Sequence, residues 1–284
     1  VKWINSRSDG FVSDHQARDN NAHAALALDR SGKFLALRVK SWGNLGAYLT
    51  GSMARIFTEQ FVKLPGGPYQ IPSVHVEVGA VYTNTVPTGV TRGPGFAEFA
   101  NIMERLVDRA AKETGRDPAE LRRKNLIAAT PHTNAVGAVI DSGRFIKNLE
   151  TAISHARDGY DARKASSKAA GQLRGIGIGY HIKATFGAPE ENVELRFEED
   201  ATLTFTTGTQ AIGQGHETSF PQIISSLLGI ATEDIYYRAG DTDLIPKGGG
   251  HGSSRATFMA GTAIHMAAER IKEKASRIAA HVLE

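Results

Sequence analysis

Gly208-Thr209-Gln210-Ala211-Ile212-Gly213-Gln214-Gly215-His216-Glu217 follows an alternating apolar strand and runs into an amphipathic helix. A second glycine-rich stretch, Gly240-Asp241-Thr242-Asp243 through Gly252-Ser253-Ser254-Arg255, takes the same place between a strand and a helix further on. Glycines at such a junction let backbone N–H groups approach a ligand closely, and a helix N-terminus adds unpaired donors and partial positive charge. The pair reads as one cradle for a phosphate or another anionic group. Gln214 would supply an amide that donates and accepts, and His216 a titratable edge. On these residues alone, ligand binding and a tight turn with a capping histidine are equally supported, because short glycine patterns recur by chance.

Working outward, Val193, Leu195 and Phe197 alternate as a strand, Glu199-Asp200 turns it, and Leu203 and Phe205 return it to Gly208. This hairpin delivers the first loop. Phe220, Ile223, Ile224, Leu227 and Leu228 define a helix stopped by Gly229, Ile235 to Arg238 a short strand, and Ile264 through Val282 a last helix.

The first half begins with a second hairpin, Ala22 to Leu28 and Phe34 to Val39, joined by Asp29-Arg30-Ser31-Gly32-Lys33, and Val74 to Tyr82 adds a half-buried strand. A glycine- and proline-rich loop from Thr83 to Gly95 leads into a helix with Phe96, Phe99, Met103, Leu106 and Ala110 on its buried stripe, ended by Gly115. Asp117 caps the next helix, with Pro118 in its first turn. Phe145 to Tyr160 reads as helix, and Leu173 to Phe186 as a strand with Gly175, Gly177 and Gly179 opposite Ile176, Ile178 and Tyr180. The expected organisation is a first lobe over residues 1–160, a polar linker or exposed helix end over 161–172, and a second lobe over 173–284, with no exact sequence repeat.

With 284 residues the chain can bury a substantial core. Lys plus Arg number 33 against 30 Asp plus Glu, which does not indicate nucleic acid. The absence of cysteine excludes disulfides, thiolate zinc, an iron–sulfur cluster held by this chain and a catalytic thiol. No apolar run is long enough to cross a membrane and the stretch from Val1 lacks the basic and apolar regions of a signal peptide, so a cytoplasmic location is the default expectation. The chain starts at Val1 and stops inside a helical pattern, which predicts a fragment of a larger polypeptide.

Other features have bland readings. Asp241-Thr242-Asp243 is better read as an Asx-type turn than as a cation site. In Lys247 to Arg255 the lysine precedes the glycines, unlike an ATP-binding phosphate loop, which leaves a loop presenting two hydroxyls and a guanidinium. None of the ten histidines has metal-ligand spacing, so no protein-held metal is expected. Arg122-Arg123-Lys124 reads as a solvated helix face.

Gly208-Thr209-Gln210, Gly213-Gln214-Gly215-His216-Glu217-Thr218, Gly240-Asp241-Thr242-Asp243 and Ser254-Arg255, in this order, resemble the large subunit of molybdenum hydroxylases. This is the xanthine dehydrogenase and aldehyde oxidase family, and the resemblance is nearest the aerobic carbon monoxide dehydrogenase type. Val1-Lys2-Trp3 with Arg7-Ser8, Asn44 to Tyr48, Thr83-Asn84-Thr85, Arg92-Gly93 and Asp117 to Arg122 agree, so the resemblance covers essentially the whole chain.

The resemblance implies an α+β fold of two mixed α/β lobes that clasp molybdopterin cytosine dinucleotide with its molybdenum. Carried over by residue, Gln214, Gly215 and His216 would contact the cofactor and Gln210 would lie beside it. Asp241, Thr242 and Asp243 with Ser253, Ser254 and Arg255 would line its dinucleotide or pterin portion, and Arg92 and Gly93 would lie near the molybdenum. The implied activity is oxidative hydroxylation of an aldehyde, N-heterocycle or similar small molecule, with electrons leaving through iron–sulfur and FAD centres on partner chains or other segments. A dimer of the full assembly is among the expectations. The family's glycine-rich Gly-Gly-x-Phe-Gly loop would lie before Val1 and its catalytic glutamate beyond Glu284, so no catalytic residue is assigned. Thr91 stands where an aromatic residue is common and Phe96 where arginine is, and without a loop cysteine, copper-bridged chemistry is not expected. The alternatives are a degenerate member acting as an assembly or interaction module, and a phosphate- or nucleotide-binding protein.

Overall fold

A computed structural model describes residues 3–50, 56–185 and 189–283. Val1, Lys2, Phe186 and Glu284, which enter the expectations above, lie outside the described residues. The chain divides into two compact units, residues 1–183 and 184–284.

After a short helix α1 (Arg7–Ser13), the first unit builds a sheet from β1 (Asn20–Leu28), β2 (Phe34–Gly46) and β3 (Ser73–Tyr82), with β2 antiparallel to β1 and parallel to β3. The hairpin turn is tied by Asp29, whose Oδ1 accepts from the Ser31 and Lys33 amides at 2.8 and 2.9 Å, while Gly32 takes a φ of 87°. Register aligns Leu26, Leu37 and Val74 in one row and Ala24, Val39 and Val76 in the next. In β2 the buried Leu37 and Val39 alternate with exposed Arg38 and Lys40, so one face of the sheet carries the core.

Against that face pack Phe99, Met103, Val107 and Ala110 of α2 (Phe96–Thr114), with Leu121 of α3 (Pro118–Asn125) and Phe145 and Leu149 of α4 (Phe145–Arg157). Each of these side chains except Ala110 contributes roughly 1.5–3 kcal/mol on burial. Gly115 ends α2 in the left-handed region, and Asp117 caps α3 through the amides of Ala119 and Glu120, as expected. Asn125 fastens α3 to the first hairpin: its side chain accepts from Phe34 N at 2.8 Å and donates to Gly32 O at 2.9 Å. A small ribbon, β4 (His132–Thr133) with β5 (Val139–Ile140), precedes α4.

Three expectations are corrected here. The helix read over Phe145 to Tyr160 breaks at Gly159, which adopts φ 59° and starts a separate helix, α5 (Tyr160–Ala169). No strand forms over residues 173–185: the Ile178 carbonyl accepts from Arg122 Nη2 at 3.1 Å and the Tyr180 amide donates to Glu104 Oε2 at 2.8 Å. These backbone groups bond to side chains instead of a neighbouring strand, and Ile178, Tyr180 and Ile182 pack on the core of the first unit. Arg122 is no solvated face residue. It is fully buried and pairs with Glu104 and Asp108, both at 2.9 Å.

The second unit contains β6 (Val193–Phe197), β7 (Leu203–Thr207) and β8 (Ile235–Arg238), with β7 antiparallel to β6 and parallel to β8. Every residue of β7 is buried. Phe205 meets Phe220 edge-on at 5.8 Å, and Ile224 of α6 (His216–Leu228) and Ile264 of α7 (Gly261–Leu283) close the core. Both units therefore follow one plan: a hairpin, a third strand parallel to its second, a glycine-rich loop, then a helix. No exact sequence repeat accompanies that repetition of topology.

Candidate cofactor site

The loop after β7 begins where two backbones touch. A Cβ on Gly208 would lie 2.3 Å from Gly248 Cα and 3.0 Å from the Lys247 carbonyl oxygen, so only glycine permits this approach. Thr209 is fully buried, and its carbonyl accepts from the Tyr237 hydroxyl at 2.8 Å. Gln210 lies over Gly240, where a Cβ would come within 3.0 Å of its side-chain amide. The two glycine-rich stretches, 208–215 and 240–252, thus pack against each other.

Toward α6 the loop opens. Gly213 and Gly215 take φ 111° and 74°, and a Cβ on either would meet no atom within 4 Å. Ile212 is 73 % exposed, and its amide donates to Gln214 Oε1 at 2.5 Å, which folds that side chain back over the loop. At the first turn of α6 the Thr218 and Ser219 amides donate to the Gly215 carbonyl, which leaves the amides ahead of them as the unpaired donors of the helix start. His216, its first residue, is buried and stacks on Phe220 with ring centroids 4.8 Å apart, and its Nδ1 has no hydrogen-bond partner. An orphaned polar atom in an otherwise packed ring is a place for a ligand group.

Downstream, Asp241 Oδ1 accepts from the Asp243 amide at 3.0 Å, an Asx-type turn that leaves Asp241, Thr242 and Asp243 exposed. Ser253 and Ser254 both take left-handed φ values, 64° and 65°, which turn the chain sharply before the last helix. Arg255 is buried. Its guanidinium pairs with Glu191 Oε2 at 2.7 Å and donates to the carbonyls of Gly250 and Glu190, both at 2.6 Å. Among the described residues, no group of three or more His, Asp or Glu side chains converges as a metal site.

Arg92 and Gly93 belong to the first unit, in the loop between β3 and α2. Arg92 is exposed, and its carbonyl and that of Thr91 accept from Arg18 Nη2. The loop is anchored at its start by Asn44, whose amide nitrogen donates to Asp19 Oδ2 at 2.8 Å and Thr85 Oγ1 at 3.0 Å, and whose oxygen accepts from Thr83 Oγ1 at 2.7 Å. Two residues that organise these loops, Glu191 and Arg18, carry no signal in the sequence. Each is an ordinary charged residue just ahead of a hairpin, and only its distant partner gives it a role.

Residues 1–126 and residues 154–284 each match the molybdopterin cofactor-binding domain family. The large chain of carbon monoxide dehydrogenase from Afipia carboxidovorans is 32 % identical over 308 residues, spanning 100 % of this chain and 38 % of its own length. Subunit gamma of the 6-hydroxypseudooxynicotine dehydrogenase complex of Paenarthrobacter nicotinovorans is 33 % identical over 100 % of this chain and 37 % of its own. The crystal structure of quinoline 2-oxidoreductase from Pseudomonas putida 86 superposes with a TM-score of 0.88 and 29 % identity, covering 99 % of this chain and 38 % of that one. The chain therefore spans a little over a third of these relatives. It carries two molybdopterin cofactor-binding domains and belongs to the molybdenum hydroxylase large-subunit family.

Proposed function

We propose that this chain is the part of a molybdenum-dependent hydroxylase that holds the molybdopterin cofactor, in its cytosine dinucleotide form, during oxidation of an aldehyde, an N-heterocycle or a similar small molecule. One observation carries the reading: the two glycine-rich stretches meet at Gly208 and Gly248, beside a helix start where His216 Nδ1 is buried without a partner. The donor set fits the group. The open glycines, first-turn amides and side-chain amides suit an anionic, hydrogen-bonding cofactor, and a chain without cysteine suits a metal held by the cofactor's own sulfurs. When bound, the cofactor supplies the redox centre of the hydroxylation.

The chain's own residues bind and orient. Gly213, Gly215 and the α6 amides receive the anionic portion, His216 Nδ1 and the Gln210 and Gln214 amides meet its polar edge, and Asp241 to Asp243 with Ser253 and Ser254 line the rest. Arg255 serves by holding the second loop. Iron–sulfur and flavin centres would lie on partner subunits or on other segments of the protein. This accords with relatives named as one chain or subunit of a larger enzyme.

Metal and cofactor analysis of the full-length protein purified with its partner subunits tests this. About one molybdenum and one pterin per chain are expected. Bound nucleotide without molybdenum or pterin would make it a phosphate- or nucleotide-binding protein, and neither would make it an assembly module. The 284-residue chain alone is expected to be catalytically silent, and turnover of aldehydes or purines by it would contradict that.

A further inference from the structure

We propose that Glu191 is a positioning residue of the cofactor site: its buried carboxylate holds the two glycine-rich loops in register, one directly and the other through Arg255. This rests on the reading of the loop pair as the cofactor cradle. Glu191 Oε2 accepts from Thr209 Oγ1 and from Arg255 Nη1, each at 2.7 Å. Its other oxygen accepts from the Asn192 amide at 3.1 Å and lies 2.9 Å from where a Cβ on Gly208 would sit. That carboxylate therefore touches the start of the first loop at two consecutive residues.

Arg255 carries the constraint to the second loop. Its guanidinium accepts no bonds and donates to Gly250 O and Glu190 O, and Gly249 packs so closely that a Cβ there would come within 2.4 Å of it. The Arg255 and Glu191 side chains are 2 % and 1 % exposed. A buried pair of this kind is a weak source of stability, because desolvation offsets its attraction, but its multiple bonds define geometry.

The first unit uses the same device with the charges exchanged. Arg18 stands two residues before β1, as Glu191 stands two before β6. It reaches Glu98, in the first turn of the helix after the Thr83–Gly95 loop, at 3.7 Å, and its Nη2 holds the carbonyls of Thr91 and Arg92. In both units the residue ahead of the hairpin pins the segment where the glycine-rich loop meets its helix.

The test uses the full-length protein with its partner subunits, comparing wild type with Glu191→Gln and Thr209→Val. Glu191→Gln keeps the shape and an acceptor but removes the charge. It is expected to lower molybdenum and pterin content about tenfold or more, the scale seen when a group supporting a bound metal's ligands is lost. In cofactor-free preparations, hydrogen exchange at the amides of 208–215 and 247–252 is expected to rise while β7 and α6 stay protected. Thr209→Val cuts only the direct link, so exchange should rise at 208–215 and not at 247–252, with a partial loss of cofactor. Unchanged cofactor content and loop exchange in Glu191→Gln would overturn the proposal. So would a uniform rise through β7, α6 and α7, which marks a general scaffold role. Should Glu191→Gln not fold, unchanged loop exchange in Thr209→Val has the same force. Wild type lacking molybdenum and pterin would remove the reading beneath it, and that result is seen before any substitution is made.

Discussion

Arg122 Nη2 lies 2.9 Å from Glu104 Oε2 inside the first unit, with their side chains 0 % and 10 % exposed. Around that contact Glu104 accepts the Tyr69 hydroxyl at 2.6 Å and the Tyr180 amide at 2.8 Å, so one carboxylate joins α2, α3, the Tyr69 loop and the segment around residue 180. Burial, and after it the Glu104 charge, pushes the Tyr69 hydroxyl far above its ordinary pKa, which keeps it a donor.

Removing one member of this network leaves the other charge buried and alone. Arg122→Met is expected to destabilise the first unit by about 3–5 kcal/mol. Asp108, the partner on the solvent side, is 51 % exposed, and Asp108→Asn is expected to cost under about 1 kcal/mol. Both tryptophans of this chain, Trp3 and Trp42, lie in that unit, so denaturation followed by their fluorescence reads the difference. Equal effects of the two substitutions would refute the network's central role.

Asp117 couples stability to pH. Burial would raise its pKa, but the Glu120 and Ala119 amides and the Arg157 guanidinium outweigh it and hold the carboxyl below its ordinary value of 3.8. A depressed acid contributes stability above its unfolded pKa and loses it as pH falls through the folded one. Asp117→Ala is therefore expected to cost about 1 kcal/mol near neutrality, the usual worth of an N-cap, and the gap to wild type should narrow below pH ~4. A gap that stays constant down to pH ~2 would rule out the coupling.

Glu98 has the opposite sign. Burial, only partly opposed by its own backbone amide and by Arg18, raises its pKa above the ordinary 4.5, and its Oε2 has no hydrogen-bond partner. Ionising it in the folded state costs stability as pH rises through the usual carboxylate range. Glu98→Gln should therefore be at least as stable as wild type at neutral pH, with that advantage disappearing in acid. Thermal melting of both proteins across the pH range checks the crossing.

Two glycines of the first loop separate steric from conformational demands. Gly208→Ala drives a methyl into Gly248 and Glu191 and is expected to cost roughly 1–3 kcal/mol. Gly215→Ala has open space but sits at φ 74°, which costs about 1–2 kcal/mol in the backbone. Only Gly208→Ala should also separate the two loops, read as faster hydrogen exchange at 247–252. Identical exchange in both variants would contradict the packing of loop on loop.

His216→Phe keeps the stack on Phe220 and removes the orphaned Nδ1. Stability within about 1 kcal/mol of wild type, together with reduced cofactor retention, is the expected result, since volume-conserving swaps are tolerated. Full retention would make His216 a packing residue only.

Elements whose signals are local are legible in the residues alone. Alternation in Val193 to Phe205, the stripe from Phe99 to Ala110, the Asp117 cap and the glycine stops at 115 and 229 all appear where expected, because each depends on residues within a turn or two of one another. The glycine-rich junctions at 208–215 and 240–255 were legible for the same reason, as was the family. The tertiary structure alone decided what the charged residues do and which loops meet. Arg122 bonds to Ile178 across 56 positions, Arg255 to Glu191 across 64, and Gly208 touches Gly248, separations over which no periodic pattern survives. The segment 173–185 shows the same limit: its alternation is that of a strand, yet Arg122 and Glu104 take backbone bonds that a neighbouring strand would have needed. Burial of a charge is a property of its surroundings, and those are assembled only when the chain folds.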